Sequence, residues 1–136
     1  GALGMRRPRV AMVAPVEKVS EKIPSTTDAK AVVDAFAGDD RLSIDGPFGL
    51  DVAINPDAAE IKGIGGTVAG RADVLVLPNI DAGNALYKAL TGFARARVAG
   101  IVAGASVPVV LTSRADTEES KWLALRFALA AAPPER

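Results

Sequence analysis

Apolar and polar positions alternate along this chain in blocks that read as strands and helices in turn. Arg9-Val-Ala-Met-Val-Ala-Pro15 is a short apolar run ended by proline, the mark of a buried strand. Pro24-Ser-Thr-Thr-Asp28 predicts a capped helix start, with Val32, Val33 and Phe36 on one face and Gly38-Asp-Asp at its end. Arg41 to Phe48 reads as a second strand running into a Gly-Pro turn. A short helical segment over 49–54 and a helix opened by Asn55-Pro56 follow. Asp73-Val-Leu-Val-Leu-Pro-Asn79 is uniformly apolar, as a strand covered on both faces should be. Asp81 is expected to cap a helix over 82–97, with Ala82, Leu86, Ala89, Leu90 and Phe93 on its buried face. Val98–Ala103 and Val107–Leu111 read as two closely linked strands, too close to be parallel neighbours, hence a hairpin. Asp116 and Glu119 have capping-box spacing at the start of a last helix, which carries Trp122, Leu125 and Leu129 on one face. Pro133-Pro134 follows it.

This alternation predicts an α/β fold: a three-layer α/β/α domain around a mixed, mostly parallel sheet. Ligands of such sheets bind beyond the carboxyl ends of the strands. Polar residues gather at three such ends: Asp45-Gly46-Pro47, Asn79 with Asp81, and Ser113-Arg114. The last is the most suggestive, because a strand there gives way to a helix N-terminus, where free backbone N–H groups favour anions. An arginine at that turn can grip a phosphate or carboxylate, and a serine can donate to charge developing on a carbonyl. The same residues also read as ordinary turn, cap and solvated side chains. Asn84, Lys88 and Thr91 form a polar stripe with Tyr87 beside it, either helix surface or part of a site. Asp45 is either a turn residue or a ligand.

Composition narrows the chemistry. The 136 residues include no cysteine and no histidine, and Lys+Arg equals Asp+Glu at 16 each. The zero net charge gives no footprint for nucleic acid, and no apolar run is long enough for a membrane span. Disulfides and thiolate metal sites are excluded, and a reducing, cytoplasmic setting is expected. Any acid–base work falls to Asp, Glu, Lys, Tyr or Ser. No spacing rule gathers Asp45, Asp51, Asp73 and Asp81 into a metal site. The glycine-rich stretch Lys62–Arg71 fails the dinucleotide pattern, because Val68 stands where the third glycine belongs, and reads as a flexible connection.

Three blocks carry a family resemblance. Ser43-Ile-Asp-Gly-Pro-Phe-Gly-Leu-Asp-Val-Ala-Ile54, Val68 to Tyr87-Lys88, and Ala99 to Ser113-Arg114-Ala-Asp116 resemble, in order, the motif blocks of phosphate acetyltransferases and phosphate butyryltransferases. Val16-Glu-Lys-Val and Pro24–Asp28 are similar to the butyryltransferase branch. The resemblance implies the reaction acyl-CoA plus phosphate to acyl phosphate plus CoA, with both as substrates and no metal or redox cofactor. It implies a lobe like those of isocitrate and isopropylmalate dehydrogenases, a homodimer, and an active site in the cleft between two lobes. Residues 1–136 then correspond to the second half of such an enzyme, with the first lobe absent or supplied by a partner chain. The isolated chain is expected to show little or no turnover.

By the same resemblance, Ser113 stabilises the tetrahedral intermediate and Arg114 binds phosphate. Asp45, Asn79, Asn84, Tyr87 and Lys88 are candidates for substrate binding. The family's acetyl-specific members carry a thiol-activating aspartate seven residues after the serine, and here that position is Ser120. Asp116 is the nearest carboxylate, with Glu118 and Glu119 as alternatives. The competing expectation is a non-catalytic CoA-binding or dimerisation module of the same fold.

Overall fold

A computed structural model describes residues 4–132; Pro133-Pro134 lies outside them. Contacts divide the described residues into two compact units, one from Arg6 to Asn84 and the other from Ala85 to Ala132 together with Gly4 and Met5.

The first unit is built on a parallel three-stranded sheet, order β2-β1-β3: β1 (Arg9–Val13), β2 (Ser43–Phe48) and β3 (Val74–Val76). Successive residues of β1 face opposite sides of the sheet. Ala11 and Met12 are both buried, so both faces of the central strand are covered. That is the α/β arrangement expected from the alternation of elements. Helix α1 (Pro24–Ala35) packs on β1 and β2. A hydrophobic core gathers Ala11, Phe48, Val52, Ala53, Ala59, Val68 and Ala69, from β1, β2, α2 (Leu50–Ile54), α3 (Pro56–Ile61) and the segment after it.

Several local expectations shift. Helix α1 buries Thr26 and Ala29, with Val33 half-buried, while Val32 and Phe36 are exposed. Thr26 explains the rotation. Its hydroxyl donates toward the carbonyls of Ile23 and Ser20 and accepts the Ser20 N–H, so the polar atom is satisfied within its own turn and that face can be buried. The end of the glycine-rich stretch is no loose connection: Val68, Ala69 and Gly70 are buried, and Gly70 donates its N–H to the Val52 carbonyl at 2.6 Å. Gly70 has φ +70°, and a Cβ there would lie 2.6 Å from Pro56 Cα. Strand β3 is short, and the predicted Asp73–Asn79 run leaves the sheet after Val76.

Charged side chains tie the loops down. Arg9 and Asp73 form a two-armed ion pair, with Arg9 Nη2 2.7 Å and Nε 2.9 Å from the carboxylate. Hydrogen bonds from Arg9 hold the Asp73 carboxyl down at about 2. Lys62 Nζ lies 3.0 Å from both Glu17 Oε1 and Asp51 Oδ2. Burial disfavours the Glu17 charge, but Lys62 and the Gly49 N–H outweigh it and lower its pKa.

The second unit holds most of α4 (Ile80–Gly92) and all of α5 (Glu118–Ala131). Between them the expected hairpin is reduced to one antiparallel bridge, Val102 with Val109. The predicted direction of pairing is present, but strands over 98–103 and 107–111 are not. A two-stranded ribbon without a covered face is marginal, and Val107 and Leu111 are exposed. Helix α5 is rotated from the expectation. Trp122, Leu125 and Leu129 are exposed, and the inward side runs through Ser120, Leu123, Ala124, Phe127 and Ala128. That set has its own helical spacing, and small Ser120 and Ala124 let the helix approach the turn before it.

Candidate functional site

The turn between residue 112 and α5 is built by Asp116. Its Oδ2 accepts the Ser113 N–H at 2.7 Å, and its own N–H donates to the Ser113 carbonyl at 3.1 Å. Its Oδ1 accepts the Tyr87 hydroxyl, also at 2.7 Å. The Asp116 carboxylate is therefore committed to two donors and does not cap α5. The cap is Thr117, whose hydroxyl accepts the Ser120 N–H at 3.1 Å. Glu119, expected to close a capping box, instead pairs with Arg97 at 2.7 Å. A carboxylate bonded at one oxygen to its own turn and at the other to Tyr87 does not also reach the helix N–H groups, so the cap passes to the next side chain.

Three candidate residues thus form one hydrogen-bonded chain: Tyr87, Asp116 and Ser113. Lys88 stands beside it, its ammonium 4.9 Å from the Tyr87 ring centre. The Tyr87 hydrogen bond, the Ser113 N–H, and the charges of Lys88 and Lys121 hold the Asp116 carboxyl below its usual range. The same hydrogen bond, reinforced by burial, raises the Tyr87 phenol, because ionisation would set phenolate against carboxylate.

Ser113 Oγ accepts only a long, 3.4 Å bond from the Ala115 N–H, so its own proton is available to a ligand. Arg114 is exposed and makes no hydrogen bond or ion pair among the described residues. A free guanidinium next in chain to a free hydroxyl suits a tetrahedral or planar oxyanion. A groove of ≈ 470 Å³ runs beside the turn, lined by Lys88, Arg95, Arg97, Asp116, Thr117 and Ser120. Arg95, Arg97 and Lys121 were not among the sequence candidates. The closely spaced arginines following α4 were the available signal.

Ser120, where the resemblance leads one to expect a carboxylate base, lies in the first turn of α5 and accepts a hydrogen bond from the Thr117 hydroxyl at 3.1 Å. Asn84, four residues before Lys88 in α4, is exposed and unpartnered among the described residues. Asn79 caps α4, accepting the Ala82 N–H at 2.9 Å, in place of the expected Asp81, which sits in the helix's first turn.

Asp45 belongs to the other unit. At the end of β2 the register slips, so that Ala11↔Asp45 is followed by Val13↔Phe48. Gly46 and Pro47, joined by a cis peptide, fill the bulge. Gly46 must be glycine there: φ is +145° and a Cβ would fall 2.7 Å from the Met12 carbonyl oxygen. Asp45 Oδ1 accepts the Gly46 N–H at 2.8 Å. Among the described residues no group of three or more acidic side chains is placed to hold a metal ion, and no helix is long and apolar enough to cross a membrane.

Comparison with known proteins places the chain. The family model described as phosphate acetyl/butaryl transferase matches residues 1–129. A phosphate butyryltransferase of Clostridium beijerinckii is 49% identical over 123 residues, covering 88% of this chain and 40% of the relative. A phosphate acetyltransferase of Thermotoga maritima is 44% identical over 126 residues, covering 90% and 42%. The crystal structure of a branched-chain phosphotransacylase from Enterococcus faecalis superposes with a TM-score of 0.87 at 43% identity, covering 95% of this chain and 47% of that one. The chain spans less than half the length of these relatives. A model matched over nearly the whole chain, together with these identities, shows that it belongs to the phosphate acetyl/butyryl transferase family.

Proposed function

We propose that this chain carries the phosphate-binding turn of an enzyme that converts acyl-CoA and phosphate to acyl phosphate and CoA. The observation that carries the reading is the pairing, at one braced turn, of an unpartnered Arg114 with a Ser113 hydroxyl free to donate. In the forward direction a phosphate oxygen attacks the thioester carbonyl carbon. The carbonyl oxygen takes up negative charge, toward which the Ser113 O–H donates, while Arg114 holds the phosphate. The C–S bond then breaks, and CoA leaves as the thiolate. A free thiol ionises near ~8.5, so positive charge nearby suffices to make the thiolate a good leaving group. In reverse the thiol must lose its proton. Asp116, with both oxygens taken and its pKa lowered, is a weak base for that step. It serves better as the brace of the turn.

The reading takes CoA and phosphate as substrates and uses no metal or redox cofactor. The remaining wall of the site comes from a further lobe or a partner chain, and turnover by this chain alone is small. A homodimer is part of the same reading, supported by the exposed apolar stripe Trp122, Leu125 and Leu129 on α5. A cytoplasmic setting fits a chain without cysteine. Thermal-shift titrations with CoA and with inorganic phosphate test the assignment. Wild type should be stabilised, and Arg114→Ala should lose the phosphate response. If neither protein responds to either compound, the assignment fails.

A further inference from the structure

We infer that Tyr87 is a positioning residue: acting through Asp116, it fixes the Ser113 turn in the arrangement that leaves the Ser113 hydroxyl and the Arg114 guanidinium free for an anionic ligand. The ligand half of this inference rests on the phosphate reading above; the positioning half does not.

The turn is closed by two bonds between residues 113 and 116, Ser113 N–H to Asp116 Oδ2 and Asp116 N–H to the Ser113 carbonyl. The first depends on how the Asp116 carboxylate is rotated. Tyr87 sets that rotation by holding the other oxygen at 2.7 Å. The Tyr87 backbone is itself braced, because the Thr91 hydroxyl donates to its carbonyl at 3.0 Å.

The choice of tyrosine has a chemical logic. The Asp116 carboxylate lies within the influence of Lys88 and Lys121. With Oδ1 unoccupied, it would turn toward one of these cations, and the bond to Ser113 N–H would loosen. A phenol satisfies that oxygen with a neutral donor and consumes no positive charge. The cations beside the turn stay available for an incoming anion. A second consequence concerns the oxyanion. The Ser113 N–H is already spent on Asp116, so the donors left at the turn are the Ser113 hydroxyl and Arg114.

Tyr87→Phe removes one oxygen and keeps the ring under Lys88. Amide–water exchange measured residue by residue by NMR reads the outcome. Exchange at Ser113 should quicken about tenfold, the equivalent of one hydrogen bond near ~1.4 kcal/mol, while amides within α5 stay unchanged. An unchanged Ser113 rate overturns the inference. So does a uniform acceleration across α4 and α5, which would mark Tyr87 as merely structural. Titration with inorganic phosphate supplies the second arm. Tyr87→Phe should bind several-fold more weakly than wild type, and equal affinity would refute positioning of the ligand site. A wild type blind to phosphate, with Ser113 still sensitive to Tyr87→Phe, would strike the phosphate reading and leave the brace standing.

Discussion

Asp116→Asn is the perturbation that most exposes how the site is held. The wild-type carboxylate offers one oxygen to the Tyr87 hydroxyl and the other to the Ser113 N–H, both at 2.7 Å. Asparagine has one oxygen and an amide that only donates, so two donors compete for a single acceptor. One bond must be lost. A hydrogen bond at a part-exposed site contributes about 1 kcal/mol, which lowers the melting midpoint by a few degrees in a chain of this size. The phenol gives the sharper readout, because Tyr87 is the sole tyrosine and its ionisation is followed directly by near-ultraviolet absorbance. In wild type its pKa is raised above 10.0 by the bond to Asp116. With the carboxylate neutralised, it should fall back toward the ordinary value. The pH dependence follows from the two shifts. The lowered Asp116 pKa stabilises the fold above the ordinary carboxyl value of 3.8, and that contribution is lost as pH falls through the lowered value. The raised Tyr87 pKa stabilises the fold below 10.0, and that contribution is lost as pH rises through the raised value. Asp116→Asn should therefore flatten stability at both ends. An unchanged phenol titration in the variant would refute the coupling.

Two further perturbations test the frame around the site. Gly70→Ala places a methyl 2.6 Å from Pro56 Cα at a φ of +70°; the left-handed backbone and the overlap together should cost roughly 3 kcal/mol, visible as a lower denaturant midpoint, and an unchanged midpoint would contradict the packing described. Asp73→Asn removes a carboxyl held at about 2 by Arg9. That group contributes stability above 3.8, lost as pH falls toward about 2, so the variant should be less stable at neutral pH and show a shallower acid decline in denaturant titrations at stepped pH.

Much of this was legible in the sequence, and the failures have physical causes. The strand over 41–48 and the position of the Ser113-Arg114 turn were readable because local chemistry marks both, although Gly46-Pro47 forms a bulge inside the strand and not a turn after it. The pair 98–103 and 107–111 was misread as strands because an apolar run signals burial only if something covers it, and Val107 and Leu111 are uncovered. The rotation of α5 was missed because two sets of residues share helical spacing, and bulk favoured Trp122 where fit favoured Ala124. Asn79 and Asp81 are both good caps, and only the backbone decides between them. The brace between Tyr87 and Asp116 joins residues 29 apart, and the Glu17–Lys62 pair joins residues 45 apart. No local pattern announces either.

The measurement that bears most directly on the central claim is a phosphate titration of the isotope-labelled chain followed in amide NMR spectra. Resonances of Ser113, Arg114 and Ala115 should shift and saturate, and Arg114→Ala should weaken binding about tenfold or more, as expected for loss of a charge-assisted contact. Silence of residues 113–115, or identical saturation in Arg114→Ala, would contradict it.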